Sequence, residues 1–208
     1  QLRLSRGGVV PPKVLVIGES GSEDSPPFVA KMFQDAGADV ATCDLKGSTA
    51  EGIPHFCGDA AQIQDLGWDL VIGHPPCTFL SNASIKWLKN NPFRRRQMYQ
   101  NAAVFRRFRD AQAPFVAIEN SKMGPEARKI VGESPTQYIH PWQHGHGQTK
   151  PTALYLDNLP PIAPTKIVYG REHSLSRHPP DSLRTERKSK TYMGIAAAMA
   201  TQWTPVLQ

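Results

Sequence analysis

Four short runs constrain this chain more than anything else in it: Lys13 to Gly18 (KVLVIG), Asp39 to Asp44 (DVATCD), Asp69 to Gly73 (DLVIG) and Ala113 to Glu119 (APFVAIE). Each is apolar and β-rich with little alternation, so each predicts a strand buried on both faces. Between them lie stretches with helical spacing. Pro27 to Ala36 reads as a helix closed by Gly37, Lys122 to Val131 as another, and Phe93 to Gln112 carries Met98, Ala102, Phe105 and Phe108 on one face with arginines filling the other. Buried strands alternating with helices imply crossover connections, and the fold class predicted is α/β, a doubly wound and mostly parallel sheet. Shorter strand candidates are His55 to Cys57, Tyr138 to Ile139 and Thr152 to Leu156, and Thr191 to Gln202 reads as a final helix whose weak point is Gly194. Such sheets bind ligands at the carboxyl ends of their strands, where the loops after Gly18, Asp44, Gly73 and Glu119 gather.

At 208 residues the chain can bury one sizeable core. The expected organisation is a flexible segment over 1–12 and a single domain over 13–208, within which 157–190 is irregular and basic. No apolar run is long enough to span a bilayer, and the opening QLRLSRGGVVPP lacks the apolar middle of a secretion signal, which predicts a cytoplasmic protein with no membrane partner. Three cysteines, an odd number with no CxxC pair, fit a reducing compartment. The net charge of +6 is unevenly spread: Lys86 to Arg109 holds eight Lys or Arg and no acid, and Lys166 to Lys190 seven against three acids. Clusters of this kind suit a polyanion, and equally a solvated helix face and a basic tail. His140, His144 and His146 with Cys43 and Cys57 match no familiar zinc spacing, and no metal is predicted.

Two places carry chemistry. In His74-Pro75-Pro76-Cys77, two prolines stiffen the backbone just past a buried strand and aim a thiol, which suits a nucleophile; a buried structural cysteine is the competing reading. His74 is a candidate to assist it, with an orientation that sequence does not give. In Ile118-Glu119-Asn120 a carboxyl ends an apolar strand at the same edge of the sheet. Burial there costs several kcal/mol, on the order of an unpaired charge, unless a partner is found, and it raises the carboxyl's pKa so that a protonated Glu119 can donate to a ring nitrogen; an exposed strand end is the alternative.

The PPC at Pro75 to Cys77, the IEN at Ile118 to Asn120 and GHGQTKPTALYL at Gly145 to Leu156 resemble the C5-cytosine DNA methyltransferases. LPPIAPT at Leu159 to Thr165 and GIAAAMATQW at Gly194 to Trp203 resemble a short phage-type form without a large target-recognition domain. The resemblance covers roughly Lys13 to Trp203. It implies the Rossmann-like sheet of S-adenosylmethionine-dependent methyltransferases and a DNA-modifying, DNA-binding enzyme of a bacterial or phage-infected host cell. It further implies that Cys77 adds to C6 of cytosine while Glu119 holds N3 and the amine, Asn120 fixes the loop, and Lys150 stabilises base or phosphate. Gly18, Glu19, Gly21, Asp44, Asp59 and Pro75 would hold S-adenosylmethionine. Gln148, Arg94, Arg95, Arg184 and Arg187 would contact the substrate.

The sequence departs from that family in three ways. The first glycine loop lacks the aromatic-glycine pattern, the third motif reads Gln148, Lys150, Thr152 where the long enzymes carry Gln and two Arg, and only about 35 irregular residues follow Leu156 before the last helix. Duplex DNA, single-stranded DNA and a free cytosine nucleotide therefore all stand as substrates. A non-catalytic DNA-binding protein on the same fold is the rival from another class, and would need neither Cys77 nor Glu119.

Overall fold

The computed structural model describes residues 4–5, 8–22, 26–83, 91–170 and 191–208. The apolar runs become strands β1 (Lys13–Ile17), β2 (Asp39–Asp44), β3 (His55–Cys57), β4 (Leu70–Gly73) and β5 (Phe115–Ser121), joined by β6 (Gln137–Ile139) and β7 (Thr152–Asp157). They form one sheet in the order β3-β2-β1-β4-β5-β7-β6. Pairing is parallel from β3 through β5, and only β7 runs against its neighbours. This is the doubly wound, mostly parallel, Rossmann-like sheet expected of the methyltransferase type. Near the amino terminus Leu4–Ser5 pairs with Gly8–Val9 in a two-residue antiparallel ladder.

Alternation along β1 explains why its run is continuously apolar. Val14 and Val16 pack toward α1 (Phe28–Asp35) and α4 (Met193–Trp203), while Leu15 and Ile17 pack toward α2 (Pro92–Arg109) and α3 (Pro125–Val131). The helical face read from sequence is the one buried: Met98, Ala102, Phe105 and Phe108 are the buried residues of α2. Each large apolar side chain so covered contributes roughly 2 kcal/mol. Asn91 caps this helix through its side chain to the Arg94 amide, and Pro92 occupies the first turn, where its missing N–H costs nothing.

Three arginines of α2, Arg95, Arg107 and Arg109, are engaged in ion pairs. Arg95 reaches Glu126 and Arg107 reaches Asp59, each at 2.9 Å. Arg109 bridges Glu133 and Asp157, tying the end of α2 to the loop after α3 and to the end of β7. Much of what sequence offered as a polyanion surface on this helix holds elements together instead.

Gly194 is not a weak point. It sits in the first turn of α4 against the backbone of the His144 turn, and a Cβ built there would stand 1.9 Å from the His144 carbonyl oxygen. Helix propensity alone gives alanine about 1 kcal/mol over glycine. The overlap, with backbone that has no rotamer to escape through, costs about 3 kcal/mol. Gly194→Ala is thus expected to destabilise the protein by about 2 kcal/mol and to lower the thermal midpoint by roughly 4–8 °C; an unchanged or raised midpoint would show that the turn yields easily.

Candidate active site

Register brings the two chemical loops together. In the parallel pair β4–β5, Gly73 lies opposite Ile118, so the next residues, His74 and Glu119, are also neighbours and lie on the α1/α4 side of the sheet. His74 Nδ1 donates to Glu119 Oε2 at 2.9 Å, with the two side chains only 11% and 10% exposed. Thr191, just ahead of α4, donates to the same oxygen at 3.4 Å. On the other side of β5, Asn120 Nδ2 donates to the Pro75 carbonyl at 3.0 Å. Beyond Cys77 the chain zips onto the segment after β5: Asn82 N donates to the Lys122 carbonyl and Gly124 N to that of Leu80, both at 2.9 Å. Cys77 is therefore held between two anchors. Its own carbonyl accepts from the Leu80 and Ser81 amides, closing a tight turn.

The strand does not end at Glu119 as the sequence suggests. It continues through Ser121 because β7 pairs antiparallel along it, Ser121 opposite Thr152. The same pairing returns the loop before β7 to the carboxyl edge, where the Lys150 ammonium acts on His74, Cys77 and Glu119. The Lys150 Nζ also lies 5.8 Å from the centroid of the Tyr192 ring, whose hydroxyl donates to Gln148 Oε1. Among the residues named from sequence, Cys77, Glu119, Asn120, Lys150, Gln148 and Pro75 come to one edge.

The charges there differ from those read in the sequence. Burial alone would push the Glu119 carboxyl up, but the hydrogen bond and charge of His74, with Lys150 and the Thr191 hydroxyl, outweigh it and hold it below its ordinary value. For His74, burial would push the imidazole down, and the bond and charge of Glu119 with the charge of Glu19 more than offset both burial and Lys150, so it is raised. Both shifts run against the protonated glutamate expected from sequence and toward a charged pair. At Cys77, burial and the Glu119 carboxylate push the thiol up against Lys150 and the Ser121 hydroxyl, and the net shift is upward. Cys43 is a different kind of cysteine: fully buried, and pushed up by burial and then by the nearby Asp44 and Asp59 to about 11.

The first glycine loop lies beside this site. Gly18 adopts φ +81° and packs against the His74 backbone, where a Cβ would come within 2.5 Å of the carbonyl oxygen. Glu19 turns inward and accepts from the Val29 and Ala30 amides, each at 3.0 Å, occupying the amino end of α1. Burial raises its pKa, although His74 and those amides lower it. A helix amino end in this position commonly receives phosphate; here a carboxylate already fills it, which suits a cationic ligand better than a dinucleotide. Gly21 is stitched to the next loop through Ser48 and Thr49. Asp44 ends β2 with its carboxylate on the Lys46 amide, followed by Leu45, which is 79% exposed. Asp59 caps a short turn through the Ala61 amide and pairs with Arg107, so its carboxylate is engaged.

Of the remaining substrate candidates, Arg94 lies over the Phe79 ring of the Cys77 loop at 5.6 Å, while Arg95 is spent on Glu126. Arg184 and Arg187 lie outside the described residues. Ser121, Thr191 and Tyr192 line the site without having been assigned from sequence, and His74, a candidate there to assist the thiol, bonds Glu119 instead. The HGHG turn serves packing: His146 Nε2 accepts from the Gly194 amide at 3.0 Å and His144 meets Thr165 at 3.1 Å. Among the described residues no group of three or more His, Cys, Asp or Glu is placed to hold a metal ion, and no helix is long and apolar enough to cross a membrane.

No protein family matches the sequence, and no curated protein matches it. Among solved structures, one similar chain is described as a DNA modification methyltransferase encoded within a prophage of E. coli, at 14% identity and TM-score 0.44, covering 70% of this chain and 46% of that one. Another is the Entamoeba histolytica methyltransferase EhMeth, at 13% identity and TM-score 0.40, covering 76% of this chain and 58% of that one. The chain thus spans about half the length of these proteins, and both likenesses are weak.

Proposed function

We propose that this protein is a methyltransferase acting on C5 of cytosine in DNA, with Cys77 as nucleophile and Glu119 as the group that grips the ring. The observation that carries this reading is the meeting of a double-anchored Cys77 loop with a buried Glu119 at the carboxyl edge of one parallel sheet. A structural cysteine needs no such anchoring, and a buried carboxylate with one oxygen committed to His74 leaves the other for a ligand. S-adenosylmethionine would be held by Gly18, Glu19, Gly21, Asp44, Asp59 and Pro75, of which Asp59 would have to release Arg107, and would supply an electrophilic methyl group when bound.

The chain's own residues do the rest. Glu119 binds N3 and the exocyclic amine, drawing electron density from C6, and Cys77 adds there. As negative charge on Glu119 is satisfied by the ring, one of the two upward pushes on the thiol is relieved, so the thiolate forms more easily with a base in place. The thiol proton leaves to solvent through the partly exposed side of Cys77. Lys150 stabilises the charge that develops on the ring, Asn120 holds Pro75, and Gln148, steadied by Tyr192, contacts the base. DNA contacts would fall to Arg94, Arg184 and Arg187, and to Arg95 once it releases Glu126, with 157–190 in place of a recognition domain. Of these, Arg94 is the one placed beside the Cys77 loop.

The test is transfer of label from S-adenosylmethionine to duplex DNA, single-stranded DNA and cytosine nucleotides offered in parallel. Label on cytosine C5 supports the reading and names the substrate. Label on none, with DNA still bound, leaves a binding protein on this fold.

A further inference from the structure

We propose that His74 is a positioning residue for Glu119 and the store of the proton that the contact between Glu119 and a pyrimidine consumes. The inference rests on the reading of Cys77 and Glu119 given above and assigns a role to a residue that reading leaves idle.

Four observations bear on it. The Nδ1 of His74 holds Glu119 Oε2 at 2.9 Å, which leaves Oε1 as the oxygen free to turn to a base. The other ring nitrogen, Nε2, is buried and has no hydrogen-bond partner, so Glu119 alone orients the ring. The backbone beneath is clamped, with His74 N donating to the Ile17 carbonyl at 2.8 Å and Gly18 packed against the His74 carbonyl. Finally, the charged and titratable groups facing the imidazole come from three other elements: Glu119 on β5, Glu19 after β1 and Lys150 before β7. Two carboxylates against one ammonium favour an imidazolium, and a buried imidazole with a single polar partner has no purely structural need for that proton.

Cytosine offers an acceptor at N3 and a donor at its amine. A carboxylate can accept from the amine but repels N3, so a proton must enter the contact. Between them His74 and Glu119 already hold one. As the base docks, the Nδ1–H bond breaks and the proton passes to Oε2, the oxygen His74 holds; protonated Oε2 shares it with N3 while Oε1 accepts from the amine, and the imidazole is left neutral, so the charge of the set is unchanged. When the C5 proton is lost to solvent, Cys77 leaves C6 and the ring electrons return, and the proton on N3 goes back through Oε2 to Nδ1. No proton for N3 is drawn from solvent, so this transfer adds no pH dependence of its own wherever the imidazolium persists, and only the ionisation of Cys77 remains.

The test compares wild type with His74→Gln, which can still donate a hydrogen bond to Oε2 but stores no proton. The probe is a single-stranded oligonucleotide carrying 5-fluorocytosine, offered with S-adenosylmethionine, and the readout is the rate of covalent adduct formation across pH 6 to 8. Wild type is expected to speed up with pH as the Cys77 thiol ionises, and His74→Gln to fall behind it, the ratio of wild type to variant growing by about tenfold per pH unit, a dependence that a loss of packing alone does not produce. A second measurement needs no turnover: ¹⁵N NMR of the ligand-free protein should show His74 cationic at pH 7 in wild type and neutral there in Glu119→Gln. An identical pH dependence in both proteins overturns the His74 role alone, as does a neutral His74 in wild type at pH 7. No wild-type adduct at any pH overturns the reading of the site and the His74 role together.

Discussion

Replacing Cys77 by serine is expected to abolish methyl transfer, by about 10³-fold or more, while leaving the fold intact. The hydroxyl is far less acidic than the thiol and is the poorer nucleophile, and among the described residues the charged groups that act on it are Lys150, a cation, and Glu119, already bonded to His74. Cys77 belongs to neither core cluster, and its loop is held by the Asn120–Pro75 bond and by backbone pairing of 80–82 with 122–124, none of which involves sulfur. Stability should change by no more than about 0.5 kcal/mol, measurable by urea denaturation. The two readouts together separate the rival functions. Lost transfer with unchanged DNA binding identifies a nucleophile; retained transfer would mean that another group attacks, or that the chemistry needs no covalent adduct.

Glu119→Gln should give a second large effect of a different shape. The amide is nearly isosteric and can still donate to N3 and accept from the amine of cytosine, so substrate binding should be little affected. What it cannot do is carry a proton to the ring in the transition state. We expect KM to hold within a few-fold while kcat falls by about 10²- to 10³-fold. A rise in KM with kcat preserved would instead make Glu119 a binding residue only. Removing the carboxylate also removes the main support of the imidazolium, so an uncharged His74 is expected in this variant at neutral pH.

Strand content was readable because β1, β4 and β5 are buried on both faces, which leaves little freedom in composition. KVLVI, LVIG and FVAI could hardly be anything else in a chain of this length. The core face of α2 was readable for the same reason, its four buried residues being spaced as a helix spaces them. The last strand was found but not its direction: TALYLD reads alike in either sense, and only the position of 145–151 at the site edge reveals that β7 runs against β5. The contact of His74 with Glu119 depends on Gly73 standing opposite Ile118, a register that no local pattern encodes. That omission misled the charge state of Glu119. Its burial was anticipated, but a partner 45 residues earlier in the chain reverses the effect of burial on its acidity. The ion pairs of the α2 arginines were likewise not legible, since their carboxylate partners on α3 and the neighbouring loops are distant in sequence.

Helix α4 packs beside α1 on one face of the sheet, though nearly the whole chain separates them, and the residue just ahead of it, Thr191, completes the hydrogen bonding of Glu119. On a ribosome this has a temporal meaning. All seven strands have been made once Asp157 has emerged, yet the groove beside α1 stays open and Glu119 lacks Thr191 until 191–203 follows. A nascent chain therefore carries its thiol beside an unfinished site, and α4, when it follows, both seals the core and arms the site.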